Sequence, residues 1–252
     1  MTNIEKKWKD FLSEGQFDYE LLKPKDELHP SFWREKKLNT RVLRKLMEIA
    51  QDVIDSMGIK AHIRDVVITG SIASFNWHNL SDIDLHIILD FREIDNNIQL
   101  VKKMLDQSRI NWNKVHNIMI SSHECELYFQ DINEKHESVG IYSILEGTWI
   151  QEPTRINTNI DLRSTEKKAE AIANSVDHLF DLFSDKRYDE AYNYASKIKN
   201  KIKKMRQSGL NREGIYSVEN LAFKMLRNAG ILQKLSSLKI HAYDKMMSME
   251  LT

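Results

Sequence analysis

Cys125 is the only cysteine in this 252-residue chain. That excludes a disulfide framework and a cysteine-built zinc site within one chain. No apolar run approaches the roughly 18 residues a membrane helix needs. The first residues, MTNIEKKWKDFLSEG, hold no signal-peptide core, so a cytoplasmic protein is expected. The nine histidines include no pair at zinc-ligand spacing on one predicted helix, and none is assigned to metal. Internal repeats and low-complexity tracts are lacking too. Net charge is absent, with 37 Lys and Arg against 37 Asp and Glu. The balance is uneven, however. Acids exceed bases through residue 160 and bases exceed acids from residue 161 on, an asymmetry suited to drawing in a polyanionic ligand. What is present, 41% hydrophobic and 29% charged residues, fits a folded globular chain.

Along the chain, Ile4, Trp8, Phe11 and Leu12 predict a helix over Asn3–Glu14, and residues 15–31 read as a connection. Apolar residues at intervals of three and four predict a long helix from Phe32 to Met57, stopped by Gly58. A strand ending at Thr69, a short helical stretch and a second strand follow. A helix is expected over Ile94–Gln107, then strands over Val115–Ile120, Cys125–Gln130 and Val139–Leu145. Beyond Asp161 there is neither a strand signal nor a proline. Helices are expected near 161–184, 187–208, 217–236 and 239–249. The fold class is therefore a small mixed α/β sheet with flanking helices, in residues 1–155, followed by a helical domain in 156–252.

The informative stretch is Val66 to Asp90, VVITGSIASFNWHNLSDIDLHIILD. An apolar run breaks at Gly70-Ser71. Ten residues later the chain alternates acid and apolar through Asp82-Ile83-Asp84-Leu85. Side chains two apart on a strand share a face, so Asp82 and Asp84 point the same way. Two carboxylates side by side on an apolar strand repel each other and resist desolvation, and a divalent cation relieves both. The plainer alternative is a strand-turn-strand with surface aspartates. Glu124 and Glu126, on one face of the expected strand at Cys125, supply a further acid. Glu126 is favoured because apolar Cys125 and Leu127 flank it.

Gly70-Ser71, ten residues, then acid-apolar-acid-apolar resembles the signature of the DNA polymerase beta-type nucleotidyltransferase superfamily. The resemblance implies that Gly70 and Ser71 hold the phosphates of a nucleoside triphosphate. It also implies that Asp82, Asp84 and Glu126 hold two Mg²⁺ ions and carry catalysis. Gly70 would let the backbone approach the triphosphate, and the Ser71 hydroxyl would donate to it. Ser81 is assigned to the nucleotide and to orienting the entry of the aspartate strand, with plain turn chemistry as the alternative. Ser74 is open between phosphate contact and turn chemistry, and His86 follows Asp84 on the same face. Residues Glu126–Asp131, Gly140–Ser143, Trp149, Pro153 and Tyr216–Lys224 are similar to nucleotidyltransferase-like proteins encoded by tailed bacteriophages.

The helical half contains Ser196–Arg206, with six cations and no acid. Such a run is either a solvated face or a surface for triphosphate or RNA; Lys201 in it, and Lys224 further on, are the lysines assigned to nucleotide. Tyr188, Tyr192 and Tyr194 either stack a base or pack an interface, and Ser217 reads as a helix N-cap. The expected activity moves an NMP from an NTP to an acceptor and releases pyrophosphate. An RNA 3′ end is favoured over a protein hydroxyl or a small molecule. The rival reading is an inactive module of the same fold that binds RNA or a protein partner.

Overall fold

The computed structural model describes residues 17–136, 138–156 and 160–249. They form two compact units, one from the described residues of Pro24–Asn157 and one from those of Met1–Lys23 and Thr158–Thr252. Among the described residues there are six α-helices and a six-stranded sheet, so the fold is mixed α/β. No described helix is long and apolar enough to cross a membrane. The helix expected over Asn3–Glu14 lies outside the described residues.

The first unit runs β1 (Trp33–Arg34), β2 (Lys37–Leu38), α1 (Thr40–Met57), β3 (Ile63–Thr69), β4 (Ile83–Leu89), α2 (Ile98–Val115), β5 (Met119–Ile120), β6 (His123–Asp131), β7 (Ile141–Ser143) and β8 (Thr148–Gln151). The large sheet is ordered β5-β6-β4-β3-β7-β8. Only β4 and β6 pair in parallel, and α2 makes the crossover between them. On one face Val66, Ile68, Ile83, Leu85, Ile87 and Leu127 are fully enclosed and share a core with α1 and α2. Each such side chain contributes about 1.5–3 kcal/mol by leaving water. The alternating positions, Asp84 and His86 among them, are turned to the other face. That alternation positions the candidate site.

Several boundaries differ from the sequence expectation. Phe32–Leu38 is not the first turn of a helix. Glu35 (φ 49°) and Lys36 (φ 61°) turn a tight hairpin, and Asn39 starts α1 by accepting from the Arg41 amide. Tryptophans fix that hairpin. The Trp33 indole donates to the Ile72 carbonyl at 2.8 Å, and the Trp149 indole donates to the Lys36 carbonyl at 2.7 Å. Between β3 and β4 the expected short helix is a series of turns. There the Ser74 hydroxyl bonds to the Ser71 carbonyl and accepts from the Asn76 amide, competing with helical bonding.

Asn97 caps α2, four residues or so later than expected, and the helix continues through Val115. It persists because Asn113 clamps the neighbouring strand, donating to the Leu127 carbonyl at 3.1 Å and accepting from the Leu127 amide at 3.0 Å. Only Met119–Ile120 of the expected Val115–Ile120 strand pairs as a strand. Strand β8 was not among the expected elements.

The second unit contains α3 (Leu162–Ser184), α4 (Tyr188–Glu213), α5 (Val218–Asn228) and α6 (Ile231–Met247). Its core joins Ala169, Ile172 and Leu179 with Ala195, Ile198 and Ile202 and with Leu221, Met225, Leu235 and Leu238. Leu22, expected with the sheet, is buried in this helical core. Asp161 and Ser217 cap α3 and α5 by accepting from the amides three residues on. The third expected helix ends earlier than residue 236. Gly230, at φ 69°, breaks the chain direction, and α6 starts at once behind it.

Candidate functional site

Strand β3 delivers the Gly70-Ser71 turn beside β4. Thr69 lies in register with Asp84, and Gly70 follows at φ +75°, a backbone region that disfavours any side chain. A Cβ on Gly70 would lie 1.7 Å from Asp84 Oδ2 and 2.8 Å from its Cγ. The turn backbone is thus pressed against the carboxylate, which any other residue would have to displace. The Ser71 hydroxyl donates to Ser81 Oγ at 2.9 Å, and the same oxygen accepts from the His78 amide at 2.9 Å. These bonds close the loop between the two halves of the motif. Gly140 packs equally tightly behind the loop, where a Cβ would meet the Ala73 carbonyl oxygen at 1.8 Å. Ser74 is buried and its hydroxyl is spent inside the turn.

The parallel pairing of β4 and β6 sets Asp84 opposite Glu126, so the two carboxylates are neighbours on one sheet face. Glu124 shares that face but pairs with Met119 of the short edge strand β5. Asp82 immediately precedes β4 and is half-buried. The structure therefore gathers Gly70, Ser71, Ser81, Asp84 and Glu126 around one turn, with Asp82 at its approach. Lys201 and Lys224 stand in the helical unit, Lys201 exposed on α4 and Lys224 half-buried on α5. Burial, with Arg227 and Arg206 close by, pushes the Lys224 ammonium down to about 8.

Four side chains beside these carboxylates, Tyr128, His86, Arg109 and Gln130, lie outside the assigned site residues. Tyr128, two beyond Glu126, donates its hydroxyl to Glu126 Oε2 at 2.6 Å. His86 stacks on the Tyr128 ring at 4.8 Å between centroids, and the Arg109 guanidinium covers the ring at 4.8 Å. Gln130 completes the row. It donates from Nε2 to the Glu134 carbonyl, so its Oε1 faces His86 and His86 donates from Nδ1 at 3.1 Å. Burial holds this imidazole neutral, pushing its pKa down to about 4. Strand alternation announces Tyr128, whereas Arg109 falls beyond the expected end of its helix and carries no local signal.

A buried histidine pair supports the start of β4. The Ser31 amide donates to His29 Nδ1 at 3.3 Å, which places the His29 proton on Nε2, 3.2 Å from His123 Nε2. His123 then donates from Nδ1 to the Ser81 carbonyl at 2.6 Å. Burial foremost, then His123, lowers the pKa of His29. His123 alternates with Glu124, so it shares the core face with Cys125 and Leu127.

Negative charge dominates this end of the sheet. Burial raises the Cys125 thiol to about 12, with Asp84, Glu126 and Glu124 adding to it. The Tyr128 hydroxyl is raised by burial and by Asp84, then by its bond to Glu126. Among the described residues no three His, Cys, Asp or Glu side chains close into a ready metal cage. The donor set is one of hard carboxylate oxygens, which suits Mg²⁺, an ion held by one or two protein carboxylates plus substrate phosphates. The arrangement sets hard carboxylate oxygens beside a glycine turn. No protein-family model, no curated protein and no solved structure matches this chain.

Proposed function

We propose that the sheet unit is a Mg²⁺-dependent nucleotidyltransferase site, moving an NMP from an NTP to an acceptor hydroxyl. The observation that carries the reading is the contact of Gly70 with Asp84, set in register with Glu126. A glycine turn set against Asp84, itself beside Glu126, suits a place where phosphate and cation meet. Asp82, Asp84 and Glu126 would hold magnesium, which when bound neutralises phosphate charge and polarises the α-phosphorus. The Gly70-Ser71 backbone amides receive the phosphate oxygens, the Ser71 hydroxyl proton being already given to Ser81. The acceptor oxygen attacks the α-phosphorus, the bond to the bridging oxygen breaks, and pyrophosphate leaves. The acceptor's proton passes to Glu126, whose Oε2 is already oriented by Tyr128. The favoured acceptor is an RNA 3′ end; a protein hydroxyl or a small molecule is the other option.

Incubation with α-labelled and γ-labelled NTPs plus a lysate tests this. Transfer of the α label alone to an RNA, protein or small-molecule fraction is the expected result, and it also names the acceptor. Asp84→Asn and Glu126→Gln should each reduce transfer by a factor of about a thousand, the loss typical of removing a transition-state charge partner. Absence of α-label transfer, together with a melting temperature indifferent to Mg²⁺ and NTP, overturns the reading. Retained RNA binding in both variants would then point to a binding module.

A further inference from the structure

Helix α4 carries Lys197, Lys199, Lys201, Lys203, Lys204 and Arg206, all exposed. None is ion-paired to a carboxylate among the described residues. Lys199 reaches only Ser236 Oγ, at 3.2 Å, and Arg206 reaches Asn220 Oδ1, at 3.2 Å. An exposed lysine run is commonly a solvated face, and the run alone decides nothing. The second observation is a groove of about 560 Å³ beneath one side of it. Ile202, Phe223 and Leu235 floor the groove, Lys199, Lys203 and Arg206 edge it, and no acid lines it. Arg206 is held flat against the groove wall, its guanidinium carbon 4.1 Å from the Phe223 ring centroid. Lys224 and Arg227 on α5 add positive charge nearby, again with no acid partner among the described residues.

The edge cations recur at intervals of four and three residues, so they line up along one side of α4 over about 10 Å. That span accommodates about three stacked nucleotides at about 3.4 Å each. Cations in a row call for a polyanion, and an apolar floor below them calls for flat faces between the charges. Single-stranded nucleic acid has both, while a duplex hides its base faces. We propose that this groove seats single-stranded nucleic acid, with phosphates on Lys199, Lys203 and Arg206 and a base against the Arg206–Phe223 wall. The inference rests on the helical unit alone. It goes beyond the transfer reading, which concerns the sheet unit.

Fluorescence anisotropy of the full-length chain with fluorescein-labelled A12 RNA, A12 DNA and an RNA duplex, in EDTA and without NTP, tests it. Both single strands should bind and the duplex should bind more weakly; a preference for RNA over DNA marks recognition of the 2′-hydroxyl. Lys199→Ala/Lys203→Ala/Arg206→Ala should weaken binding at least about tenfold and reduce the log–log salt slope by about 2, three contacts at about 0.7 each. Lys197→Ala/Lys201→Ala/Lys204→Ala removes the same charge from the side of α4 away from the groove and should cost clearly less. Melting curves matching the parent would show that both triple variants are folded. Equal losses in the two variants, a preference for the duplex, or no binding by the parent would overturn the proposal. The assay needs neither metal nor NTP, so failure here is distinguishable from failure of the transfer reading.

Discussion

At Gly70 two separate demands meet, a left-handed backbone and an empty space filled by the Asp84 carboxylate. Gly70→Ala should therefore cost the roughly 1–2 kcal/mol of a side chain in the left-handed region plus the overlap with Asp84. In an Asp84→Ala background the carboxylate overlap is gone, leaving the backbone cost and a 3.3 Å contact with the Cβ at position 84. The double-mutant cycle, read from urea unfolding, should show that coupling. Equal costs in both backgrounds would refute the close contact. The histidine pair gives a pH dependence. His29 has its pKa lowered from the ordinary 6.5, so below that value the unfolded chain takes up a proton the folded chain refuses. Stability should fall as the pH drops through 6.5, and His29→Gln should flatten the slope between about pH 5 and 7. A steeper or unchanged slope in the variant would contradict the neutral relay from Ser31 through His29 and His123 to Ser81.

Among the elements, β6 depends on a side chain from another element. Asn113 satisfies both backbone groups of Leu127 on the side of β6 away from β4. Asn113→Ala should cost about 1–3 kcal/mol, the range for leaving buried backbone groups unmatched. The Leu127 amide should then exchange faster, with Val66 and Ile68 amides little changed. Uniform acceleration throughout the sheet would mean that the clamp is dispensable. The same element shows what sequence pattern conveys and what it misses. Alternation in Asp82–Leu89 and His123–Asp131 discloses both strands and the face that Asp84, Glu126 and Tyr128 share. It is silent on the partner strand, and hence on whether Glu124 or Glu126 stands beside Asp84; only the parallel register decides that. Periodicity also ran past Asn39 and Gly230, because apolar spacing continues where a side-chain cap or a positive φ has already redirected the backbone. The extension of α2 to Val115 was hidden for the opposite reason, since its last turns are held by a polar clamp rather than an apolar stripe.

For the molecule as a whole, the division into an acidic sheet part and a basic helical part is visible in charge and strand signals alone. The return of the early chain to the helical part is not, because nothing around Leu22 distinguishes a surface connection from a buried anchor. In the structure Leu22 is 3% exposed within the helical core, and the Tyr19 hydroxyl bonds to Glu166 of α3. Leu22→Ala should cost about 2–5 kcal/mol by leaving a cavity among helices more than a hundred positions downstream. Hydrogen exchange should place that loss in α5 rather than in the strands.

Because one unit takes its residues from both sides of the other, the polypeptide passes between them twice. During synthesis the helical part is left waiting: its first anchor is made early, and the helices that bury it arrive only after the whole sheet has left the ribosome. A nascent chain arrested near residue 157 would hold the complete glycine turn and its carboxylates while Leu22 still lacked the partners that enclose it.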